Sequence, residues 1–159
     1  MTHVDIHYHE DPTKKIIPLL LSGCKGLVSL ACNAEGYRDE DFTHLGTFKC
    51  SLKSLSLVSC MNYFIGNRTL DLIAECMGDN LETVDLSGHN LMWGDDLVDF
   101  VTTCTKIREF VCDDWLDHDS PWVDEEDPDY EHSHRSLQDW RAIRAMTEER
   151  TLEWKRAQR

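Results

Sequence analysis

The sequence predicts an α/β solenoid of about five strand–helix units, with a parallel sheet on its concave face and a C-terminal helix. Two observations predict it. A short apolar template recurs along the chain at near-constant spacing, and helical periodicity fills the intervals between its copies.

The template is clearest in LKSLSLVSC from Leu52 and LETVDLSGH from Leu81, where positions 1, 4 and 6 are apolar. LVSLACNAE from Leu27, IREFVCDDW from Ile107 and MTHVDIHYH from Met1 follow the same pattern. Copies therefore start at residues 1, 27, 52, 81 and 107, which are 25 to 29 residues apart. That period lies within the range of about 20–29 residues expected of leucine-rich repeats. In a strand, positions 4 and 6 face one way and positions 3, 5 and 7 the other. A single such strand cannot bury its apolar side alone, so neighbouring units must stack.

Between the strands, Ile17, Leu20, Leu21 and Cys24 have the i, i+3, i+4, i+7 spacing of a helix face, as do Leu97, Phe100, Val101 and Cys104. Phe42, Leu45 and Phe48 give a shorter version, and Leu70, Ile73, Ala74 and Met77 another. Thr13, Asp39, Asn67 and Asp95 supply helix-start signals, and Pro18 fits a first turn, where its missing N–H costs little.

Composition limits the function classes. A formal net charge of −14 repels phosphate, so nucleic acid is not an expected partner. No apolar run approaches the roughly 18 residues of a membrane helix, and no basic-then-apolar leader opens the chain. The expected compartment is the cytoplasm or nucleus. Seven cysteines, Cys24, Cys32, Cys50, Cys60, Cys76, Cys104 and Cys112, form an odd set with no CxxC spacing. They read as buried apolar side chains rather than as disulfides or zinc ligands.

The segments LLLSGCKGLVSL, LKSLSLVSC and VTTCTKIREF resemble the cysteine-containing repeats of F-box/leucine-rich-repeat proteins, over about residues 1–116. In that pattern a helix ends in a Cys two or three residues before the next strand, as Cys24, Cys50 and Cys104 do here. Cys60 matches the strand-end Cys, with His9 and His89 in its place elsewhere, and LETVDLSGHNL is similar to the run LxxLDLSGC. The resemblance implies a protein-interaction module, with repeats that recruit substrates to a cullin–RING ubiquitin ligase through a Skp-type adaptor. No F-box is visible and the chain enters directly on a repeat strand, which suggests the C-terminal part of a longer protein. A stand-alone scaffold or regulator unconnected with ubiquitin is the alternative.

Positions 3, 5 and 7 define the expected partner-binding face: His3, Asp5 and His7; Ser29, Ala31 and Asn33; Ser54, Ser56 and Val58. Thr83, Asp85 and Ser87, then Glu109, Val111 and Asp113, complete it. This small, polar row with acids at its C-terminal end suits a basic peptide or a polar protein surface; a merely solvated face is the bland reading. His3, Asp5 and His7 share a strand face, but a zinc site needs three or four converging ligands, and packing or hydrogen bonding of the histidines is preferred. No G-x-S-x-G or H-E-x-x-H is present, and no cofactor or catalytic residue is assigned. The sequon at Asn67 reads as a helix cap.

Beyond the repeats, residues 117–134 form an acidic linker carrying Trp122, Tyr130 and two prolines. Residues 135–159 read as a charged helix starting near Ser133 or Ser136, with seven Arg or Lys against four acids. Either Leu137, Trp140, Ile143 and Met146 cover the last repeat, or the acidic–aromatic stretch is a partner-binding peptide.

Overall fold

A computed structural model of the chain describes residues 3–6, 16–34, 37–43, 51–58, 65–88, 94–112 and 130–158, with side chains in the last segment from Arg141 onward. Five strands alternate with helices: β1 (His3–Ile6), α1 (Ile16–Gly23), β2 (Ser29–Asn33), α2 (Asp39–Phe42) and β3 (Ser54–Val58). The chain continues with α3 (Asn67–Met77), β4 (Thr83–Asp85), α4 (Gly94–Thr103), β5 (Glu109–Val111) and α5 (Tyr130–Ala157). The strands form one sheet in chain order, every neighbouring pair parallel.

The register repeats because the sequence repeats. Residues at template position 1, Leu27, Leu52, Leu81 and Ile107, are each fully buried just before a strand. Positions 4 and 6 follow them inward as Leu30 and Cys32, Leu55 and Leu57, then Val84 and Leu86. At position 2 the backbone is stitched from unit to unit. The Lys53 N–H donates to the Val28 carbonyl at 2.8 Å, Glu82 N–H to Lys53 at 2.7 Å, and Arg108 N–H to Glu82 at 2.9 Å.

Helices cover the apolar side of the sheet. Ile17 and Leu21 of α1 are buried, as are Leu70, Ile73 and Met77 of α3 and Leu97, Phe100 and Val101 of α4. Cys24 and Cys104 end their helices in the same way: each N–H bonds back to the residue four before it, and each carbonyl accepts from Leu27 or Ile107. In the longer third unit Met77 plays that part for Leu81. Gly78 then allows close approach, since a Cβ there would lie 3.0 Å from the Cys104 Sγ.

Helix starts depart from expectation. Asp39 and Asn67 lie inside the first turns of α2 and α3, whose N-caps are Arg38 and Gly66. Asp39 instead serves the next unit. Its Oδ1 accepts from the Gly66 N–H at 2.8 Å and from the Thr69 hydroxyl at 2.6 Å. The Asn67 Oδ1 is buried without a hydrogen bond, so it caps nothing. The Tyr37 hydroxyl accepts from the Ile16 N–H at 3.0 Å, which closes the start of α1 from the neighbouring unit. Stacking makes a neighbour's side chain a nearer acceptor than the helix's own first residue. Asp95 is the second residue of α4, and Thr13, Leu45, Phe48, Cys50 and Cys60 lie outside the described residues.

Helix α5 starts at Tyr130, earlier than Ser133 or Ser136, so the expected linker 117–134 runs into helix. Neither Gly nor Pro follows Tyr130, so nothing in the sequence breaks the helix from there on. This helix packs against α4 and β5. Ile143 is 2% exposed within the core, and Met146 packs beside it. The Arg150 guanidinium donates to the carbonyls of Val101, Cys104 and Ile107 at 2.9, 3.2 and 3.3 Å, which satisfies the open C-terminal end of α4. Thr151 donates to the Arg108 carbonyl at 3.1 Å, and Arg108 stacks on the Trp154 ring at 4.3 Å. Of the expected covering residues, Ile143 and Met146 do cover the last unit; the side chains of Leu137 and Trp140 lie outside the described set.

Candidate partner-binding face

Strand alternation sends the residues between the core positions to the opposite side of the sheet, and the register aligns them into rows. One row runs His3, Ser29, Ser54, Thr83, Glu109 across all five strands. A second runs Asp5, Ala31, Ser56, Asp85, Val111. Asn33 pairs with Val58 beyond them, and Ser87 lies in the turn after β4. The structure thus brings His3, Asp5, Ser29, Asn33, Ser54, Ser56, Thr83, Asp85, Ser87 and Glu109 to one side, while His7 and Asp113 lie outside the described residues.

The rows are exposed at their ends, at His3, Asp5, Glu109 and Val111, and half-buried across the middle strands. That gradient follows from neighbours on both sides of β2, β3 and β4. Asp85 is the best-held acid. Its Oδ1 accepts from the Ser87 N–H at 3.0 Å and the Ser87 hydroxyl at 2.6 Å, and its Oδ2 accepts from Ser56 at 3.4 Å. The carboxylate is therefore fixed in rotamer at the middle of the face.

A charged row that the sequence reading passed over lies at template position 2. Lys53 pairs with Glu82 at 3.0 Å, and Glu82 also pairs with Arg108. The signal was present as Lys, Glu and Arg at one position of three successive copies. The hydrogen bond from Lys53, joined by the charges of Arg108 and Lys53 and opposed by partial burial, holds the Glu82 carboxyl below its ordinary value of 4.5. A folded-state value below the unfolded one stabilises the fold above the carboxylate range and is lost as pH falls through the folded value. Glu82→Gln should therefore lower the urea midpoint at pH 7 and flatten its decline below about pH 5. An unchanged acid limb would show that the row contributes nothing. The effect is small, under ~1 kcal/mol for each exposed pair.

Cys32 and Cys104 are suited to packing rather than to chemistry. Burial, reinforced by the Asp5 charge, pushes Cys32 up to about 12; burial does the same to Cys104, against the pull of Arg150. A neutral thiol is a poor nucleophile and a poor metal ligand. Iodoacetamide at pH 7.5 should leave Cys32 and Cys104 unlabelled in the folded chain and label both in urea, read by peptide mass spectrometry. Rapid native labelling of either would contradict this placement. Among the described residues, no three of His, Cys, Asp and Glu converge on a metal-sized site, and no helix is long and apolar enough to cross a membrane.

Trp154 on α5 is 47% exposed, although it stacks on Arg108, and Leu152 nearby is 53% exposed. Arg108, Thr147, Thr151, Leu152 and Lys155 line a shallow depression there. Leu152 and Trp154 amid the charged residues of the last turns were the available sequence signal for this second patch. Set beside known proteins, the chain matches no family model, and no curated protein is significantly similar to it.

Proposed function

We propose that the chain is a leucine-rich-repeat interaction module that binds a protein partner on its polar sheet face and carries no catalytic centre of its own. The observation that carries this reading is the alignment of the non-core strand positions into two continuous rows, from His3 to Glu109 and from Asp5 to Val111. Small side chains in the middle of those rows leave the sheet open to an approaching surface, while the apolar positions are used up in the core. The resemblance of LETVDLSGHNL and of the helix-ending Cys24 and Cys104 to F-box/leucine-rich-repeat proteins supports a narrower role. On that reading the face recognises a ubiquitination substrate, and a Skp-type adaptor joins it to a cullin. Cys24, Cys32 and Cys104 are thiols outside any disulfide, in keeping with work in the cytoplasm or nucleus.

The test uses the tagged gene product expressed in its own cells, beside a Ser56→Arg variant that places a long cation at the middle of the face. Copurification of a Skp adaptor and a cullin, with loss of one further protein in the variant, is the expected result. A partner lost in the variant with neither adaptor nor cullin present would replace the ligase role by a stand-alone scaffold. Partners unaffected by Ser56→Arg would overturn the use of this face.

A further inference from the structure

Resting on the reading of the sheet face as a docking surface, we infer that its occupant is an extended basic segment of the partner, with two Lys or Arg side chains four residues apart. One meets Asp85 and the other Asp5. Charge sorting is the first reason. The two rows carry Asp5, Asp85 and Glu109 and no Lys or Arg. The neighbouring cations Lys53 and Arg108 sit instead at template position 2, engaged by Glu82. Among the described residues these rows bear acids and no Lys or Arg, and on a chain of net charge −14 they complement a basic partner and steer its approach.

Shape supplies the second reason. Between Asp5 and Asp85 the row holds only Ala31 and Ser56, so a peptide backbone can come close to the sheet. Asp85 is already fixed by Ser56 and Ser87, and a carboxylate has about four acceptor positions, so one remains for an incoming cation without a search over rotamers.

Spacing is the third. Asp5, Ala31, Ser56 and Asp85 are in register on successive strands, three steps of about 4.8 Å, or about 14 Å. An extended chain covers that distance in about four residues at roughly 3.3 Å each, and residues i and i+4 then point to the same side. On a helix the same two residues would be only about 6 Å apart and would miss one acid.

Fluorescence anisotropy with labelled nine-residue peptides on a Ser/Gly background tests this with the full chain. One peptide carries Arg at i and i+4, a second at i and i+3, and a third at i and i+1, all with equal charge. The expected result is tightest binding by the first, weakened about fivefold by Asp85→Asn or Asp5→Asn, with all binding weaker in added salt. Both substitutions are isosteric and lie outside the core, and circular dichroism melts verify the fold. Equal binding of the three peptides, or indifference to both variants, would reduce the effect to attraction by net charge and overturn the proposal. Absence of binding by every peptide would overturn it too. If that failure accompanied loss of the cellular partner in Ser56→Arg, the docking face would stand with a different occupant. If Ser56→Arg left the partner bound, the face itself would fall.

Discussion

Ile143→Asp is expected to release α5 from the end of the sheet and to cost about 3–5 kcal/mol of stability if the helix stays bound with a buried, unpaired carboxylate. Ile143 is 2% exposed and belongs to the continuous core, so the new charge has no route to water without moving the helix. Once α5 moves, Arg150 leaves the carbonyls of Val101, Cys104 and Ile107, and Thr151 leaves that of Arg108. The Cys104 carbonyl keeps the Ile107 N–H, while those of Val101, Ile107 and Arg108 lose these side-chain donors. Hydrogen exchange read by mass spectrometry should show lost protection in residues 141–157 and in 97–111, with β2 and β3 unchanged. Ile143→Val, which keeps an apolar contact, should cost only about 0.5–1.5 kcal/mol and keep that protection. If Ile143→Asp kept both its urea midpoint and the protection of α5, the helix would not be a packed cover.

Asp39→Ala should destabilise by about 2–4 kcal/mol, a large effect for a half-buried polar residue. Its Oδ1 holds two donors of the next unit, the Gly66 N–H and the hydroxyl of Thr69, and Thr69 is fully buried. Removing the carboxylate orphans both, which costs more than the net worth of the bonds themselves. The signature is spatial. Protection should fall at the start of α3, in the unit after the substituted residue. Asp39→Asn keeps an acceptor oxygen and should recover part of the loss. A urea midpoint for Asp39→Ala within about 0.5 kcal/mol of the parent would remove the cross-unit cap from the account.

These two substitutions mark where sequence reading reached and where it stopped. The inward set was legible because template positions 4 and 6 obey the two-residue period of a strand, three residues after an apolar position 1. Leu55 and Leu57 are buried as that period requires, and Leu52 is buried just before the strand. The helix faces were legible for the same reason: the spacing of Leu97, Phe100, Val101 and Cys104 admits one apolar stripe, and all four are buried. The outward rows then followed as the complement of the core, and Ser29, Ser54 and Thr83 do fall in register. Cap chemistry was not legible. Asp39 and Asn67 have the composition of N-caps, but the acceptor a helix end finds depends on what stands beside it in the stack.

Local pattern by itself determined the strand–helix alternation, the inward residues and the polarity of the outer sheet positions, since each depends on backbone periods of 2.0 and 3.6 residues. Tertiary structure alone decided which groups from different units meet. Tyr37 closes α1, Asp39 closes α3, Arg150 closes α4, and Lys53, Glu82 and Arg108 share one charged row. The partners of those first three contacts are 21, 27 and 49 residues apart in the chain. No periodicity within a strand or helix encodes such a pairing. It arises because stacking leaves helix ends near neighbouring units, where buried N–H and C=O groups must find partners.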